Sequence, residues 1–252
     1  MQATTCNASQ LQAYPSTFVT DAICIPTATG FIGDLNNDVS ASSPQYTHVA
    51  GSVQFSSSYS GSFFSSNPQL AWVSETLFIY NFGGPSSINL PRLTFVGTPL
   101  IALTSTSVMV IGYMTALTTI LLQALTWVGG TVNIYDNNVL KYISLPLLSS
   151  IGGSPEFAPS AYLEFSWNPD LTTIILPALT SVNGAINFYS NNALTLIALP
   201  KLAIVGSQFQ ICSNAASFNI PSNLPALWSP TSMCLVSNGS STCSISGFSP
   251  CP

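Results

Sequence analysis

Few side chains of this sequence could act as acid, base or nucleophile, and they are far apart along the chain. His48 is the single histidine among 252 residues. A serine–histidine–carboxylate triad would need Asp34 or Asp38 to orient His48 beside a serine. The Gly-x-Ser-x-Gly turn that presents the serine in many hydrolases does not occur. The sequence therefore predicts no catalytic residue and places His48 at the surface or in a loop.

A pair of carboxylates could supply the acid and the nucleophile of a glycosidase. The acids considered for such a pair are Glu75, Asp136, Glu156, Glu164 and Asp170. The repeat described below puts Glu164 at an outward strand position, and it puts Asp136 and Asp170 in loops. We expect solvated surface acids, and we predict that the protein is not an enzyme.

Metal-binding patterns are equally sparse. The segment Asp34-Leu-Asn-Asn-Asp38 has part of a calcium loop, but it lacks the glycine and the closing glutamate of an EF-hand. No Cys-x-x-Cys pair occurs, and a single histidine gives zinc too few ligands. We predict no metal site and no cofactor.

Charge is unusually scarce. Charged side chains make up 4% of the chain, with Lys+Arg 3 and Asp+Glu 8, whereas an average soluble domain has about 25%. Three cations cannot neutralise a run of phosphates, which argues against a nucleic-acid partner. The 47% of hydrophobic residues argues for a folded chain. A surface with so little charge has little to prevent association, so we expect contacts with copies of the chain or with polysaccharide.

The cysteines are confined to the two ends of the chain, namely Cys6, Cys24, Cys212, Cys234, Cys243 and Cys251. An even number without metal-binding spacing is typical of disulfides in secreted proteins. Closeness along the chain favours the pairs Cys6–Cys24, Cys212–Cys234 and Cys243–Cys251, although other pairings stay open. We predict disulfide-linked caps at both ends.

Sequons begin at Asn7 and Asn238, in the same end regions. Glycosylation there would fit a secreted or cell-surface protein. A membrane or GPI anchor in a longer precursor stays open.

One apolar stretch, Val108–Val128, is long enough to cross a bilayer. It nevertheless contains four threonines and a glutamine, and it lacks flanking Lys or Arg anchors. Because the stretch also falls into register with the repeat described next, we predict strands here and no membrane span.

An internal repeat dominates the centre of the sequence. Four stretches begin at Leu117, Leu140, Leu171 and Leu194, which lie 23, 31 and 23 residues apart. Their template is Leu-x-x-Ile-x-Leu-Pro-x-Leu-x-x-Val-Gly-Gly-x-Val-x-Ile, in which apolar residues alternate with polar or small ones. Such alternation is typical of short strands with one buried face. Since one turn cannot bury its own leucines, the repeat predicts a coil of stacked turns.

The first apolar residue of each Val-x-Ile pair extends the repeat to seven turns of 23 to 31 residues. These residues are Val53, Leu77, Val108, Val132, Leu163, Ile186 and Phe209. Each turn is predicted to hold two strands. The first strand ends at a proline, which cannot donate to a ladder, as at Pro91, Pro146, Pro177 and Pro200.

Glycine and asparagine mark the corners between strands. We expect positive φ at Gly129-Gly130, Gly152-Gly153 and Asn183-Gly184. The recurring asparagines predict a ladder of buried amides between turns, formed by Asn138, Asn168, Asn192 and Asn214.

Four motifs of the repeat resemble the receptor L-domain of the leucine-rich repeat superfamily, and particularly the repeats of fungal GPI-anchored cell-wall proteins. They are Asn67-Pro-Gln-Leu70, Asn168-Pro-Asp-Leu171-Thr-Thr-Ile, Leu176-Pro-Ala-Leu-Thr-Ser-Val182 and Asn191-Asn-Ala-Leu194-Thr. The resemblance implies an extracellular, all-β, right-handed parallel β-solenoid with disulfide-linked caps, used for recognition, adhesion or wall architecture. We predict an N-terminal cap at 1–48, the solenoid at 49–214 and a C-terminal cap or tail at 215–252.

The predicted register also gives the side chains that point outward from the Val-x-Ile strands. One row reads Gln54, Phe78, Met109, Asn133, Glu164, Asn187 and Gln210, and the next reads Ser56, Tyr80, Ile111, Tyr135, Ser166, Tyr189 and Cys212. The candidate binding residues on this face are Phe78, Tyr80, Asn133, Tyr135, Glu164, Asn187, Tyr189 and Gln210. Aromatic rings offer flat apolar area, and amides orient a sugar or protein ligand. An ordinary β-surface would carry the same residue types, so the pattern alone leaves both interpretations open.

The other predicted strands expose Thr118-Thr119, Lys141-Tyr142, Thr172-Thr173 and Thr195-Leu196. Rows of threonine on a flat sheet would suit ice binding, but Lys141 and Tyr142 interrupt them. The leading prediction is an extracellular, non-enzymatic structural or adhesive protein that self-associates or contacts cell-wall polysaccharide. A ligand-binding ectodomain that uses the Tyr/Asn face is the alternative, and ice binding is a minor one.

Overall fold

The computed structural model describes residues 30–32, 47–55, 69–80, 83–97, 108–152, 161–212, 233–237 and 240–241. This part of the chain is all-β, with 22 strands in three sheets and no helix. It accordingly contains no helix of the length and hydropathy that a membrane crossing requires. The strands pair in parallel from one repeat to the next, an arrangement consistent with a β-solenoid.

The largest sheet, sheet B, contains the Val-x-Ile strands. Its members are β3 (Val53–Phe55), β5 (Leu77–Tyr80), β8 (Val108–Gly112), β11 (Thr131–Tyr135), β14 (Leu163–Ser166), β17 (Ile186–Tyr189), β20 (Phe209–Cys212), β21 (Met233–Ser237) and β22 (Ser240–Ser241). All pair in parallel with their neighbours except β22, which runs antiparallel to β21.

Sheet C contains the strands of the Leu-x-x-Ile-x-Leu segments. They are β6 (Ser87–Asn89), β9 (Thr119–Leu121), β12 (Tyr142–Ser144), β15 (Thr173–Ile175) and β18 (Leu196–Ala198). The middle residue of each strand points inward, so Ile88, Ile120, Ile143, Ile174 and Ile197 form one buried row. Full burial of one such side chain contributes about 1.5 to 3 kcal/mol.

Sheet A contains a third set of strands that the template did not predict. They are β1 (Gly30–Ile32), β2 (His48–Ala50), β4 (Trp72–Val73), β7 (Phe95–Val96), β10 (Trp127–Val128), β13 (Ser150–Ile151), β16 (Ser181–Val182) and β19 (Ile204–Val205). Most are only two residues long, too short for an alternating pattern to show. The prediction of two strands per turn is therefore wrong, because each complete repeat places one strand in each sheet.

We call one such repeat a rung. The chain passes from β8 in sheet B to β9 in sheet C, then to β10 in sheet A, and it re-enters sheet B at β11. The apolar stretch Val108–Val128 thus forms three short strands. Leucine, isoleucine, valine and phenylalanine side chains from all three sheets fill a single core.

The register of the third rung differs from the predicted one by a residue. Leu77 and Val132 both pair with Met109 rather than with Val108. Met109 and Ile111 are consequently buried in the core, and Val110 and Gly112 occupy the outward row positions. All four residues of the run Val108-Met-Val-Ile111 are apolar, so either the first and third or the second and fourth could face inward. The apolar pattern therefore did not fix the register.

Two β-turns, which differ in sequence, connect strands within the rungs. In the Leu-Pro-x-Leu segments, the second leucine N–H donates to the carbonyl of the first, as from Leu148 to Leu145 at 3.3 Å and from Leu179 to Leu176 at 3.3 Å. Proline occupies the second position of this turn, where its fixed φ is favourable. The predicted role of proline at the strand end is confirmed by this geometry.

The second turn contains the buried asparagines. Leu140 N–H donates to the carbonyl of Asn137 at 3.1 Å, and Leu171 N–H donates to that of Asn168 at 3.0 Å. Asn137, Asn168 and Asn191 are fully buried, whereas Asn138 and Asn192 are exposed. The amide ladder is therefore present, but the assignments to Asn138 and Asn192 are wrong by one residue. Asn214 lies outside the described residues.

The corners between sheets A and B require glycine for more than one reason. Gly152 adopts φ 90°, as expected. Gly129, Gly130 and Gly184 are described and do not have positive φ. A Cβ at Gly129 would lie 2.6 Å from Cη2 of Trp127, and one at Gly184 would meet the carbonyl oxygen of Ala161. At these two corners, close approach of a neighbouring group requires the glycine.

Strands at both ends extend the sheets beyond the predicted solenoid at 49–214. β1 pairs in parallel with β2 in sheet A, and β21 pairs in parallel with β20 in sheet B. The register sets Gln210, not Cys212, opposite Cys234. Cys6, Cys24, Cys243 and Cys251 lie outside the described residues, so the disulfide pairing stays a prediction.

Candidate functional site

The outward face of sheet B contains all eight predicted binding residues. Phe78, Asn133, Glu164, Asn187 and Gln210 lie along one row, in which Phe78 pairs with Val110, Val110 with Asn133, and each later residue with the next. Tyr80, Tyr135 and Tyr189 lie in the row two residues further along the strands. Most of these side chains are half-buried, but Gln210 is only 9% exposed and offers little to a ligand.

Four aromatic side chains on this face contact one another. The rings of Phe78 and Tyr80 stack with centroids 5.4 Å apart and planes 18° apart. Tyr80 meets Tyr113 edge-on at 5.1 Å, and Tyr113 meets Tyr135 edge-on at 5.4 Å. Tyr80 and Tyr135 are 6.5 Å apart. We call Phe78, Tyr80, Tyr113 and Tyr135 the aromatic cluster.

Gly112 makes this cluster possible. Tyr80 and Tyr135 belong to strands β5 and β11, which are separated by β8, and Gly112 of β8 lies between them in the register. A Cβ at Gly112 would lie 2.8 Å from Cε1 of Tyr135, so the tyrosine ring covers the glycine. The missing side chain allows two rings from non-adjacent strands to come within contact distance.

The residue that follows each sheet B strand has a left-handed backbone in four consecutive rungs. The φ angles are 55° at Tyr113, 53° at Asp136, 55° at Trp167 and 57° at Ser190. This conformation costs a non-glycine residue about 1 to 2 kcal/mol. Two of the four are large aromatic residues, Tyr113 at 44% exposure and Trp167 at 46%. Strain of this kind often accumulates where side chains are held for function.

The hydroxyl groups of Tyr113 and Tyr135 stay protonated well above neutral pH. Burial, together with the neighbouring Tyr80, Tyr113 and Asp136, raises the pKa of Tyr135 to about 12. A hydrogen bond to the Asp136 carboxylate, together with its negative charge, raises the pKa of Tyr113. Tyr113 and Tyr135 therefore present uncharged phenols that can donate hydrogen bonds to a ligand.

A polar group lies further along the same face. The Glu164 carboxylate accepts hydrogen bonds through Oε1 from Tyr189 Oη at 2.9 Å and from Ser166 Oγ at 3.0 Å. Burial and the negative charge of Glu164 raise the pKa values of Tyr162 and Tyr189. The Glu164 carboxylate is thus held by neutral hydroxyls.

The positive charges of the chain lie away from sheet B. The chain has three cations in all. Lys141 directly precedes β12 in sheet C, while Arg92 and Lys201 lie in the turns between sheets C and A. Sheet B therefore presents aromatic, amide and carboxylate groups with no cation among its described residues.

The sequence pattern did not identify Tyr113 as part of the aromatic cluster. It also did not identify a second row of aromatic side chains, which lies on sheet A. Trp72 contacts His48 at 5.9 Å and Phe95 at 6.3 Å, both edge-on. Trp72 Nε1–H donates to the carbonyl of Gly97, and Trp127 Nε1–H donates to that of Gly152, each at 3.3 Å. Because these indoles hydrogen-bond to the backbone of the next rung, the row joins rungs to each other.

His48 was predicted to lie at the surface or in a loop, and it lies at the start of the strand β2. Its ring is half-buried against Trp72, and its Nδ1 is 2.8 Å from Oγ1 of Thr47. Burial lowers its pKa below the usual value. Asp34 and Asp38, the acids considered for a triad with this histidine, lie outside the described residues.

Sheet C carries the residues considered for ice binding. Thr118 Oγ1 donates to the carbonyl of Ser86 at 2.9 Å, and Thr195 Oγ1 donates to that of Thr172 at 3.3 Å. Lys141 and Tyr142 occupy the rung between Thr118 and Thr172 and are exposed. The threonine row is therefore interrupted on the folded surface, as it is in the sequence.

No three His, Cys, Asp or Glu side chains lie together as a metal site within the ranges that the structure describes. The glycosylation candidates Asn7 and Asn238, and the acid Glu156, lie outside those ranges. The chain matches no protein-family model, no curated protein and no solved structure.

Proposed function

We propose that this protein is an extracellular, non-enzymatic structural or adhesive protein that binds polysaccharide through the outward face of sheet B. The observation that carries the proposal is the aromatic cluster of Phe78, Tyr80, Tyr113 and Tyr135, held together on an otherwise regular sheet. Sugar rings have apolar faces that pack against aromatic rings, while their hydroxyls need donors and acceptors nearby.

The polar half of the face provides those donors and acceptors. Asn133 and Asn187 lie beside Glu164 in the same row, and the tyrosine hydroxyls remain protonated. The Asn133 Oδ1 atom is buried without a hydrogen-bond partner. A buried acceptor of this kind costs about 1 to 3 kcal/mol, and because solvent does not reach it, other groups of the face would make the polar contacts with a ligand.

The charge distribution favours a neutral chain over an anionic one. All three cations lie outside sheet B, while Glu164 lies within its outward face and Asp136 directly follows β11. An acidic polysaccharide would therefore meet like charge and no compensating cation. A neutral glucan or chitin-type polymer has neither problem.

The finer features of the fold belong to the same proposal. We take the stack to be a right-handed solenoid of about seven turns, with disulfide-linked caps and glycans at its ends. The support is the repeat spacing, the six cysteines and two sequons in the end regions, and the resemblance to receptor L-domain proteins. These features fit secretion or display at a cell surface.

Binding to insoluble polysaccharide tests the proposal. The purified chain is incubated with particles of β-glucan, cellulose and chitin, and the bound fraction is measured against protein concentration. A Tyr80→Ala, Tyr113→Asn variant should bind at least about 5-fold more weakly, since each lost ring contact is worth about 0.5 to 1.5 kcal/mol. Asparagine is chosen at position 113 because it tolerates the left-handed backbone.

Tyr142→Ser is the matched control, because Tyr142 is as exposed as Tyr113 but lies on sheet C. It should bind as the unmodified chain does, and thermal unfolding should show that both variants are folded. Equal binding by the double variant and the unmodified chain would refute the assignment of the site.

A ligand-binding ectodomain that recognises a protein or a defined glycan is the alternative, and it would use the same Tyr/Asn face. Size-exclusion chromatography and electron microscopy separate the two. Filaments, sheets or polysaccharide-bound particles support the structural function. A monodisperse monomer that binds none of the polymers supports the alternative.

A further inference from the structure

Three of the chain's nine tyrosines, Tyr80, Tyr113 and Tyr135, share one exposed cluster. We propose that Tyr80 and Tyr113 form a site for oxidative cross-linking, in which a haem peroxidase with hydrogen peroxide joins their rings as dityrosine. The proposal depends on the positions of the two rings and does not rest on polysaccharide binding.

The geometry brings the two rings within coupling distance. Their centroids are 5.1 Å apart at an interplanar angle of 60°, which directs the edge of one ring at the other. Tyr80 ends β5, and Tyr113 immediately follows β8, so the two residues belong to adjacent rungs. Tyr113 is 44% exposed and is therefore accessible to an oxidant in solution.

Asp136 assists the chemistry at Tyr113. The Asp136 carboxylate is close enough to Tyr113 to raise the pKa of its hydroxyl. When an electron leaves the ring, the phenol becomes a strong acid, and this carboxylate can receive its proton. Tyr142 is similarly exposed on sheet C, but no aromatic contact of its ring is found among the described residues.

The reaction balances with hydrogen peroxide as the oxidant. Each tyrosine loses one electron and its hydroxyl proton, giving two phenoxyl radicals. An ortho carbon of each ring then forms the new carbon–carbon bond, and the hydrogen displaced from each carbon returns to the oxygen of its own ring. Hydrogen peroxide takes up the two electrons and two protons and leaves as two molecules of water.

The scarcity of lysine and arginine makes the test direct. Trypsin cleaves only after Arg92, Lys141 and Lys201, giving fragments 1–92, 93–141, 142–201 and 202–252. Tyr80 and Tyr113 lie in the first two fragments, while Tyr142 lies in the third. The full-length chain is treated with horseradish peroxidase and hydrogen peroxide at low protein concentration. Monomer is then isolated, reduced and digested.

We expect dityrosine fluorescence in the monomer and a linked species of fragments 1–92 and 93–141 that has lost two hydrogen atoms. Tyr80→Phe and Tyr113→Phe should each abolish that species, because phenylalanine keeps the ring but cannot form a phenoxyl radical. Tyr142→Phe is the control and should leave its yield unchanged.

Two results would overturn the inference. The first is a monomer without dityrosine under these conditions. The second is a 1–92 to 93–141 link whose yield is unchanged by Tyr80→Phe, since other tyrosines of fragment 1–92 would then be the partners.

Discussion

The buried amide of Asn137 joins its own rung to the rungs on both sides through three hydrogen bonds. Its Oδ1 accepts from Met114 N–H at 3.1 Å, and its Nδ2 donates to the carbonyl of Ile111 at 3.1 Å and to Asn168 Oδ1 at 3.1 Å. Asn168 makes the equivalent bonds to Ile134 and Asn191. Each amide therefore satisfies backbone groups that the turn leaves unpaired.

Asn137→Ala should lower the free energy of unfolding by about 3 kcal/mol. The substitution leaves the Met114 N–H buried without a partner, which costs about 1 to 3 kcal/mol, and it also removes the bonds from the Asn137 amide to the Ile111 carbonyl and to Asn168. The neighbouring exposed residue gives a matched control, since Asn138→Ala should change stability by less than about 0.5 kcal/mol. Urea denaturation measures both. Equal effects at the two positions would contradict the ladder assigned here.

This pair of residues also shows what the sequence could and could not predict. The asparagine ladder followed from recurrence alone, but the doublet Asn137-Asn138 offered two candidates. The buried asparagine of each turn lies three residues before the turn leucine, as Asn168 lies before Leu171. This constant spacing identifies Asn137 as the buried residue of the doublet. Tyr113 was missed because it lies just beyond the end of β8, outside the two outward rows that the alternating pattern predicts.

Tyr135 makes the stability of the fold sensitive to alkaline pH. Its pKa is about 12 in the folded chain, against about 10 in an unfolded one. Below about pH 10 both states keep the proton, so the contribution is constant. Between about pH 10 and 12 the unfolded chain loses the proton first, and the free energy of unfolding falls.

Two measurements check this pH dependence. In an absorbance titration, the difference between the unmodified chain and Tyr135→Phe should show one tyrosine that ionises above about pH 11. Urea denaturation from pH 9 to about 11 should show a smaller loss of stability in Tyr135→Phe. A normal titration midpoint for the missing tyrosine would contradict the buried environment of its hydroxyl.

At the scale of the elements, the corners between sheets A and B limit how closely adjacent rungs can pack. The serine and threonine residues that precede the sheet A strands add hydrogen bonds between adjacent rungs. Thr94 Oγ1 donates to the carbonyl of Ala71 at 2.7 Å, and Thr180 Oγ1 donates to that of Ser149 at 2.9 Å. The short strands of sheet A thus gain side-chain hydrogen bonds that compensate for their length.

Gly184→Ala should destabilise the fold by about 3 kcal/mol. The new Cβ would meet the carbonyl oxygen of Ala161 on the adjacent rung, and backbone atoms cannot move aside as a flexible side chain can. Gly83→Ala is the control, because the nearest atom to its Cβ would be Thr115 Oγ1 at 3.9 Å. Thermal unfolding of the two variants measures the difference. A Gly184→Ala variant as stable as Gly83→Ala would show that the corner can widen.

The period of the repeat predicted the parallel strands and their inward rows, because leucine and isoleucine spacing reports directly on burial. It did not predict sheet A, since two-residue strands such as Trp127–Val128 contain only one inward position. It also could not foresee that Gly112 makes room for the ring of Tyr135. That contact depends on two residues 23 positions apart whose proximity only the stacked rungs establish.

For the whole molecule, the position of the three cations sets how binding should respond to salt. Because sheet B has no cation among its described residues, attraction between opposite charges contributes little to polysaccharide binding at this face. The bound fraction should therefore change by less than about twofold between about 0.1 M and 1 M sodium chloride, a range over which surface electrostatics is almost fully screened.

The response of Tyr80→Ala serves as the comparison for that experiment. This variant should be weakened equally at low and high salt, since it loses apolar contact area and no charge. A steep loss of binding by the unmodified chain as salt rises would instead locate the interaction near Arg92, Lys141 or Lys201.

Each rung pairs with the rungs on either side of it, and this arrangement would allow the number of rungs to change. β14 pairs with β11 on one side and β17 on the other, with equivalent residues opposite each other throughout. Excision of residues 163–185 would set Ile186 opposite Val132, with the inward rows still aligned. Genetic gain or loss of one whole period would then shorten or lengthen the molecule while every remaining junction keeps its form.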